Sequence, residues 1–197
     1  MKKQKIKYQL SLIMGLSLLA CSAQLPPDNL ESAIIGLVTA FKEKNQSAVS
    51  SFVSKEQGVI VLFRFGIFDQ YQKTSTIDFE TPVPDYFPYY DFSTDLNLSF
   101  ESLPTYDCSA LEWTKIGMFC DTTKTSHLLS ETAKNLNTYM DGNISEKEIK
   151  SFENLEKNSH RIVVCDSTEG KFIFYLTRIS KRWYLTIIDR VTSDCSS

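Results

Sequence analysis

Apolar and polar positions are most regularly patterned at the C-terminal end of the chain. Between His160 and Ser193 the sequence reads RIVVCD, STEG, KFIFYLTRI, SKR and WYLTIIDRVTS. That is three strand-like segments rich in β-branched and aromatic residues, broken by short polar turns. Segments so close in sequence pair antiparallel. In the last of them, period-two alternation puts Trp183, Leu185, Ile187 and Val191 on one side and Tyr184, Thr186, Ile188 and Arg190 on the other. The first side is the drier one and needs an apolar cover. A helix near the start of the body supplies a candidate: Leu30, Ile34, Leu37, Val38 and Phe41 recur at helical spacing. Asp28 and Glu31 have the form of a cap with its reciprocal carboxylate. Lys42 and Lys44 fall at the far end, where the helix dipole favours cations.

The middle of the chain is less regular. A short helix is expected from Gln46 to Val53, and a strand between Gly58 and Gly66. Pro82, Pro84 and Pro88 exclude a central strand from Thr81 to Phe92, so Tyr86, Phe87, Tyr89 and Tyr90 belong to a loop folded back on the body. Further strands are expected at Leu96–Phe100 and Trp113–Phe119. From Ser126 to Asn158 the pattern turns helical, with Leu128, Leu129, Ala133 and Leu136 on one helix and Ile149, Phe152 and Leu155 on a second.

The first residues carry an address. Lys2, Lys3, Lys5 and Lys7 precede an apolar run, Leu10 to Leu19, that is too short to span a bilayer. Leu18-Leu19-Ala20-Cys21 resembles the lipobox of bacterial lipoproteins, with Leu19 where many carry a smaller residue. The resemblance implies a signal peptide over 1–20, acylation of Cys21 and a lipidated tether over 21–27; the remaining 28–197 has the size of one domain and the element mix of an α+β fold. Several acyl chains hold a protein at a membrane where one is marginal. No Asp follows Cys21, which favours the outer membrane if the host is Gram-negative.

Cleavage before Cys21 removes four lysines and takes the formal net charge from −3 to −7. So acidic a body excludes nucleic acid as a partner, and a hydrophobic share of 42% suffices for a core. Cys108, Cys120, Cys165 and Cys195 remain, an even number in an exported chain, which points to two disulfides. Three pairings are open. Cys108–Cys120 and Cys165–Cys195 are favoured because each closes a compact loop. Zinc is the rival reading, but there is no CxxC spacing and His127 and His160 are the only histidines.

Three places hold candidate chemistry. Asp141-Gly142-Asn143-Ile144-Ser145-Glu146-Lys147-Glu148 resembles the second half of an EF-hand loop, which would make Asp141, Asn143, Ser145 and Glu148 calcium ligands. Asn137 and Tyr139 break the first half of that pattern, and the same letters serve as a turn followed by a helix cap at Ser145. That second account is preferred, so no metal and no cofactor is expected. His127 and His160 border predicted elements, where histidines serve mostly as surface or capping groups. Asp189 is a carboxylate on the drier side of the last strand: buried and partnered, or lining a pocket. It is the one candidate catalytic residue. Asp121-Thr122-Thr123 and Asp166-Ser167-Thr168 resemble the O-glycosylation triplets of Bacteroidetes periplasmic proteins.

The first helix, the following strand and the terminal strands with Lys181-Arg182-Trp183-Tyr184-Leu185 look like an NTF2-like (cystatin-related) domain. That resemblance implies a helix packed on a curved antiparallel sheet, here with the pair of helices over 126–158 inserted. The expected function is a membrane-anchored envelope lipoprotein that binds a small ligand or an envelope protein without catalysis, reaching the lipid bilayer through acylated Cys21. The alternative is an isomerase- or dehydratase-type enzyme using Asp189 with a histidine or tyrosine in an NTF2-like pocket. A structural or inhibitory protein binding through Tyr86–Tyr90 is a third class.

Overall fold

The computed structural model describes residues 25–92, 97–167 and 170–196. The expected signal peptide, Cys21, Leu96 and Thr168 lie outside the described residues. The first helix, α1 (Leu30–Lys42), is capped one residue later than expected: the Asn29 side chain, not Asp28, accepts from Ser32 N at 3.0 Å. Next come α2 (Gln46–Ser51) and the strands β1 (Val59–Phe65) and β2 (Phe68–Thr74). The hairpin partner β2 was not anticipated. Its sequence, FDQYQKT, carries more polar than apolar side chains, as an edge strand does. Short strands β3 (Leu98–Ser99), β4 (Tyr106–Asp107) and β5 (Glu112–Trp113) lead to β6 (Gly117–Asp121). The expected strand over 113–119 is thus broken between β5 and β6. Helices α3 (Leu128–Tyr139) and α4 (Glu146–Lys157) follow, then β7 (Ser159–Cys165), β8 (Lys171–Ile179) and β9 (Arg182–Asp189).

Seven strands form one sheet in the order β2-β1-β9-β8-β7-β6-β3, and β4 and β5 form a separate ribbon. The three terminal strands pair antiparallel as their short turns dictate. The sheet as a whole is mixed, because β1 runs parallel to β9 and β3 runs parallel to β6. An all-antiparallel sheet was the wrong expectation. No short turn links β1 to β9, so packing rather than chain connectivity sets their direction.

Both faces of the sheet are covered. On one, Ile34, Leu37, Val38 and Phe41 of α1 pack on Val59, Val61, Ile162, Val164, Phe172 and Phe174. Phe41 stacks on Phe172 at 3.8 Å between ring centroids, and Phe172 on Phe174 at 4.5 Å. On the other face, α3 and α4 bring Leu129, Ala133 and Phe152 against Ile60, Leu62, Tyr175 and Ile187. Farther along that face, Trp113, Phe119, Val163, Cys165 and Ile173 make a separate cluster.

A bulge in β9 corrects the facing of the last strand. Tyr175 pairs with Ile187 and the next residue, Leu176, pairs with Leu185, so Thr186 is the extra residue. Trp183 and Leu185 therefore face α1, while Ile187 and Val191 face the α3–α4 side. Strict alternation had put all four together.

The favoured disulfides are also overturned. Cys108, just after β4, is bonded to Cys195 in the tail after β9, and Cys120 and Cys165 are buried free thiols. Cys120 belongs to the core beneath α1 and Cys165 to the cluster on the opposite face. The sheet stands between them, so the two free thiols cannot bond to each other. Burial pushes the Cys120 thiol up to about 12 and the Cys165 thiol up to about 11.

Candidate functional site

A broad, open concavity lies on the α3–α4 face. Helix α3 packs on β2, and α4 packs on α3 and runs directly into β7. α4 meets the Ile60–Lys73 corner of the sheet through Phe152 and Glu148, which contact Tyr71, and a gap remains beside them. The result is a groove of ≈630 Å³ with Ile60, Phe152 and Leu155 among its apolar lining. That volume is in the range of small-molecule sites. Its rim carries both signs of charge, Glu56 and Glu148 against Lys73 and Arg178, with the amides of Asn154 and Asn158 beside them. Tyr71 stands in the wall, edge-on to Phe152 at 5.2 Å, and its hydroxyl donates to Glu148 Oε1 at 3.3 Å. Burial first, then the negative charge of Glu148, pushes the phenol up to about 12. Tyr71 is therefore a neutral hydrogen-bonding group at any physiological pH. The lining includes neither His nor Cys. Its chemistry suits recognition of an amphiphilic ligand, apolar along its length with a polar or zwitterionic end.

Asp189 is not in this groove. Beyond the bulge it turns toward the α3–α4 face, where its side chain is 0% exposed. One carboxylate oxygen accepts from Arg161 Nη2 at 2.6 Å and from Thr192 Oγ1 at 2.7 Å; the other accepts from the backbone N–H groups of Val191 and Thr192, both at 3.0 Å. All its acceptor sites are used, as a buried carboxylate requires. Burial opposes the charge on Arg161, but the adjacent Asp189 outweighs it and keeps the guanidinium protonated. Arg161 also lies 5.8 Å from the centroid of the Tyr175 ring, whose hydroxyl shares a 2.7 Å hydrogen bond with Ser126 Oγ. The group is a buried polar partition between the two apolar clusters of this face. Arg161 could have been suspected as a lone charge in the apolar run of β7.

The space beneath α1, where an NTF2-like pocket would open, is filled by Phe41, Phe92, Phe172, Phe174 and Trp183. A cleft of ≈20 Å³ beside Phe41 and Arg190 has room for about one water. His160 lies on this same side, 5.3 Å from the Trp183 ring, and burial lowers its pKa. His127 is exposed at the start of α3 and makes no side-chain cap. That task falls to the buried Glu156 of α4, which accepts from Leu129 N at 2.7 Å. The structure brings neither histidine to Asp189.

The aromatic loop is held from inside. Arg190 donates to Val83 O at 2.6 Å and Pro88 O at 2.7 Å, and its guanidinium lies 4.0 Å from the Phe87 ring and 4.8 Å from that of Tyr89. Burial pushes its pKa down to about 10. Tyr89 packs edge-on against Phe41, and Tyr90 against Phe87. Tyr86 alone of these tyrosines faces outward, beside the exposed Phe65 at the β1–β2 turn. Ile67 and Tyr139 line a shallow cleft near that turn.

In the calcium-like loop the side chains have other partners. The Asn137 amide bonds both backbone groups of Ile144, Asn143 bonds Asp141 O, Ser145 caps α4 by accepting from Glu148 N, and Glu148 faces Tyr71. Among the described residues no cluster of His, Cys, Asp and Glu is placed to hold a metal ion. The groove, Tyr71 and Arg190 were not foreseen, since β2 and the α4–sheet gap exist only once the strands are ordered. Comparison with protein-family models, with curated proteins and with solved structures returned no match.

Proposed function

We propose that this chain is a lipid-anchored protein of the bacterial envelope whose body binds a ligand or an envelope partner without transforming it. One observation carries the binding half: the open groove between α4 and the β1–β2 corner, with an apolar lining, the neutral Tyr71 hydroxyl in its wall and charges of both signs at its rim. The anchor half is supported by the Lys-rich head, the short apolar run and Leu18-Leu19-Ala20-Cys21. An NTF2-like ancestry is part of the proposal; α1 lying across the terminal strands supports it, and the parallel β1–β9 pair weighs against it. The enzyme alternative loses its footing in the filled space beneath α1 and the saturated carboxylate of Asp189.

Native mass spectrometry of protein extracted from its own membrane tests the groove. A bound mass in the wild type that is lost in Ser151→Trp, where an exposed rim residue fills the groove, is the expected result. An identical spectrum for both proteins rejects it. Palmitate incorporation that is abolished by Cys21→Ala, together with accumulation of the uncleaved precursor under globomycin, tests the anchor.

A further inference from the structure

The segment that leaves the structure does so at one particular end of the sheet. Arg182 Nη1 donates to Pro26 O at 2.7 Å, Trp183 N to Pro27 O at 3.2 Å, and Trp183 Nε1 to Asp28 O at 3.1 Å. The chain before α1 is thus pinned to the start of β9, beside the β8–β9 turn. Cys21 is five residues ahead of Pro26, which limits their separation to about 18 Å even when fully extended. A lipid on Cys21 therefore holds this end of the molecule close to the bilayer. The opposite end, the β1–β2 turn, lies about 30 Å farther along the strands, by the register that pairs Leu62 with Asp189.

The body carries a net charge of −7 once the N-terminal lysines are removed, yet the β8–β9 hairpin beside the pinned segment carries three cations, Arg178, Lys181 and Arg182, with no acidic residue between them. The β8–β9 connection is a two-residue turn, closed by the Ile179–Arg182 pair, with Ser180 at φ 49° and Lys181 at φ 70°. Such turns are usually built from Asn and Gly, because non-glycine residues resist positive φ. Here one of the two positions is an exposed lysine at the outermost point of the hairpin.

Resting on the lipid-anchor reading above, we infer that the β8–β9 end is a docking surface for anionic phospholipid headgroups. The short pinned tether brings it within electrostatic reach, and Arg178, Lys181 and Arg182 complement the headgroup charge. Repulsion of the acidic remainder from the same surface would stand the body upright. That presents the β1–β2 turn with Phe65, Ile67 and Tyr86 away from the membrane.

The test places the acylated protein on phosphatidylcholine vesicles with and without phosphatidylglycerol, with nitroxide on the headgroups. A fluorophore is attached at Ser32→Cys, in the first turn of α1, or at Ile67→Cys, in the far turn; the buried thiols stay unlabelled. On anionic vesicles the Ser32 label should be quenched several-fold more than the Ile67 label. Lys181→Gly should raise Tm, by relieving the left-handed backbone. In an unacylated chain beginning at Ser22 it should weaken binding to anionic vesicles about fivefold. Equal quenching of the two labels, or unchanged vesicle affinity in the better-folded Lys181→Gly protein, overturns the inference. If Cys21 carries no acyl chain and the wild-type protein fails to sediment with either vesicle, the anchor reading itself fails instead.

Discussion

The two faces of the sheet are built on different principles. Beneath α1 the core is continuous and dry, with Phe41, Phe172 and Phe174 stacked in register across helix and strands. Under α3 and α4 the face is divided: the Asp189–Arg161–Thr192 group separates two apolar clusters, and one corner is left open as the groove. A continuous apolar face gives stability and leaves no site. A face that tolerates a buried ion pair and a gap at one corner has less apolar contact but leaves room for a ligand.

The divided face should break most sharply at its ion pair. Asp189→Ala leaves the Arg161 guanidinium buried without its counter-charge and should cost about 3–5 kcal/mol in urea unfolding. The pairwise replacement Asp189→Leu with Arg161→Met should recover most of that loss; if it is no better than the single variant, the pair does more than neutralise itself. On the dry face, Phe41→Ala removes the ring stacked on Phe172 and should cost about 3–4 kcal/mol, with ligand binding in the groove unchanged.

Removing the Cys108–Cys195 bond, which closes 87 residues, should cost about 2–4 kcal/mol as Cys108→Ser with Cys195→Ser. Thiol titration checks the same assignment independently. The native protein should show no fast-reacting thiol, because Cys120 and Cys165 are buried with their pKa values raised, and two should appear on unfolding without reductant. None on unfolding would restore the two-disulfide scheme.

The smallest effect concerns pH on the α1 face. Burial depresses the pKa of His160 below its ordinary 6.5, so as pH falls the unfolded chain takes up the proton first. Its share of stability is complete above 6.5 and is lost as pH falls through the depressed value. Between pH 7 and pH 5 the wild type should therefore lose more stability than His160→Phe. Parallel curves for the two proteins would show that the ring is not desolvated.

Local physics was legible wherever one segment contained its own answer. The apolar stripe of α1, the three terminal strands, the pair α3 and α4, and the Ser145 cap all follow from spacing and side-chain type within a dozen residues. Asp189 was legible as a carboxylate needing a partner, but its partner Arg161 lies 28 residues away in another strand. The Thr186 bulge left no mark in the residues: WYLTIID alternates well enough to be read straight through. The groove was illegible because it is a gap between α4 and two strands, one of them the polar β2.

By itself, then, the sequence determined the helices and their buried faces, the three terminal strands and the acidic composition of the chain, since each depends on short-range periodicity and residue type. The parallel joining of β1 to β9, the switch of face at Thr186, the Cys108–Cys195 pairing and the open corner were decided only by tertiary structure. Each depends on which distant surfaces bury the most apolar area together, and no local pattern encodes that sum.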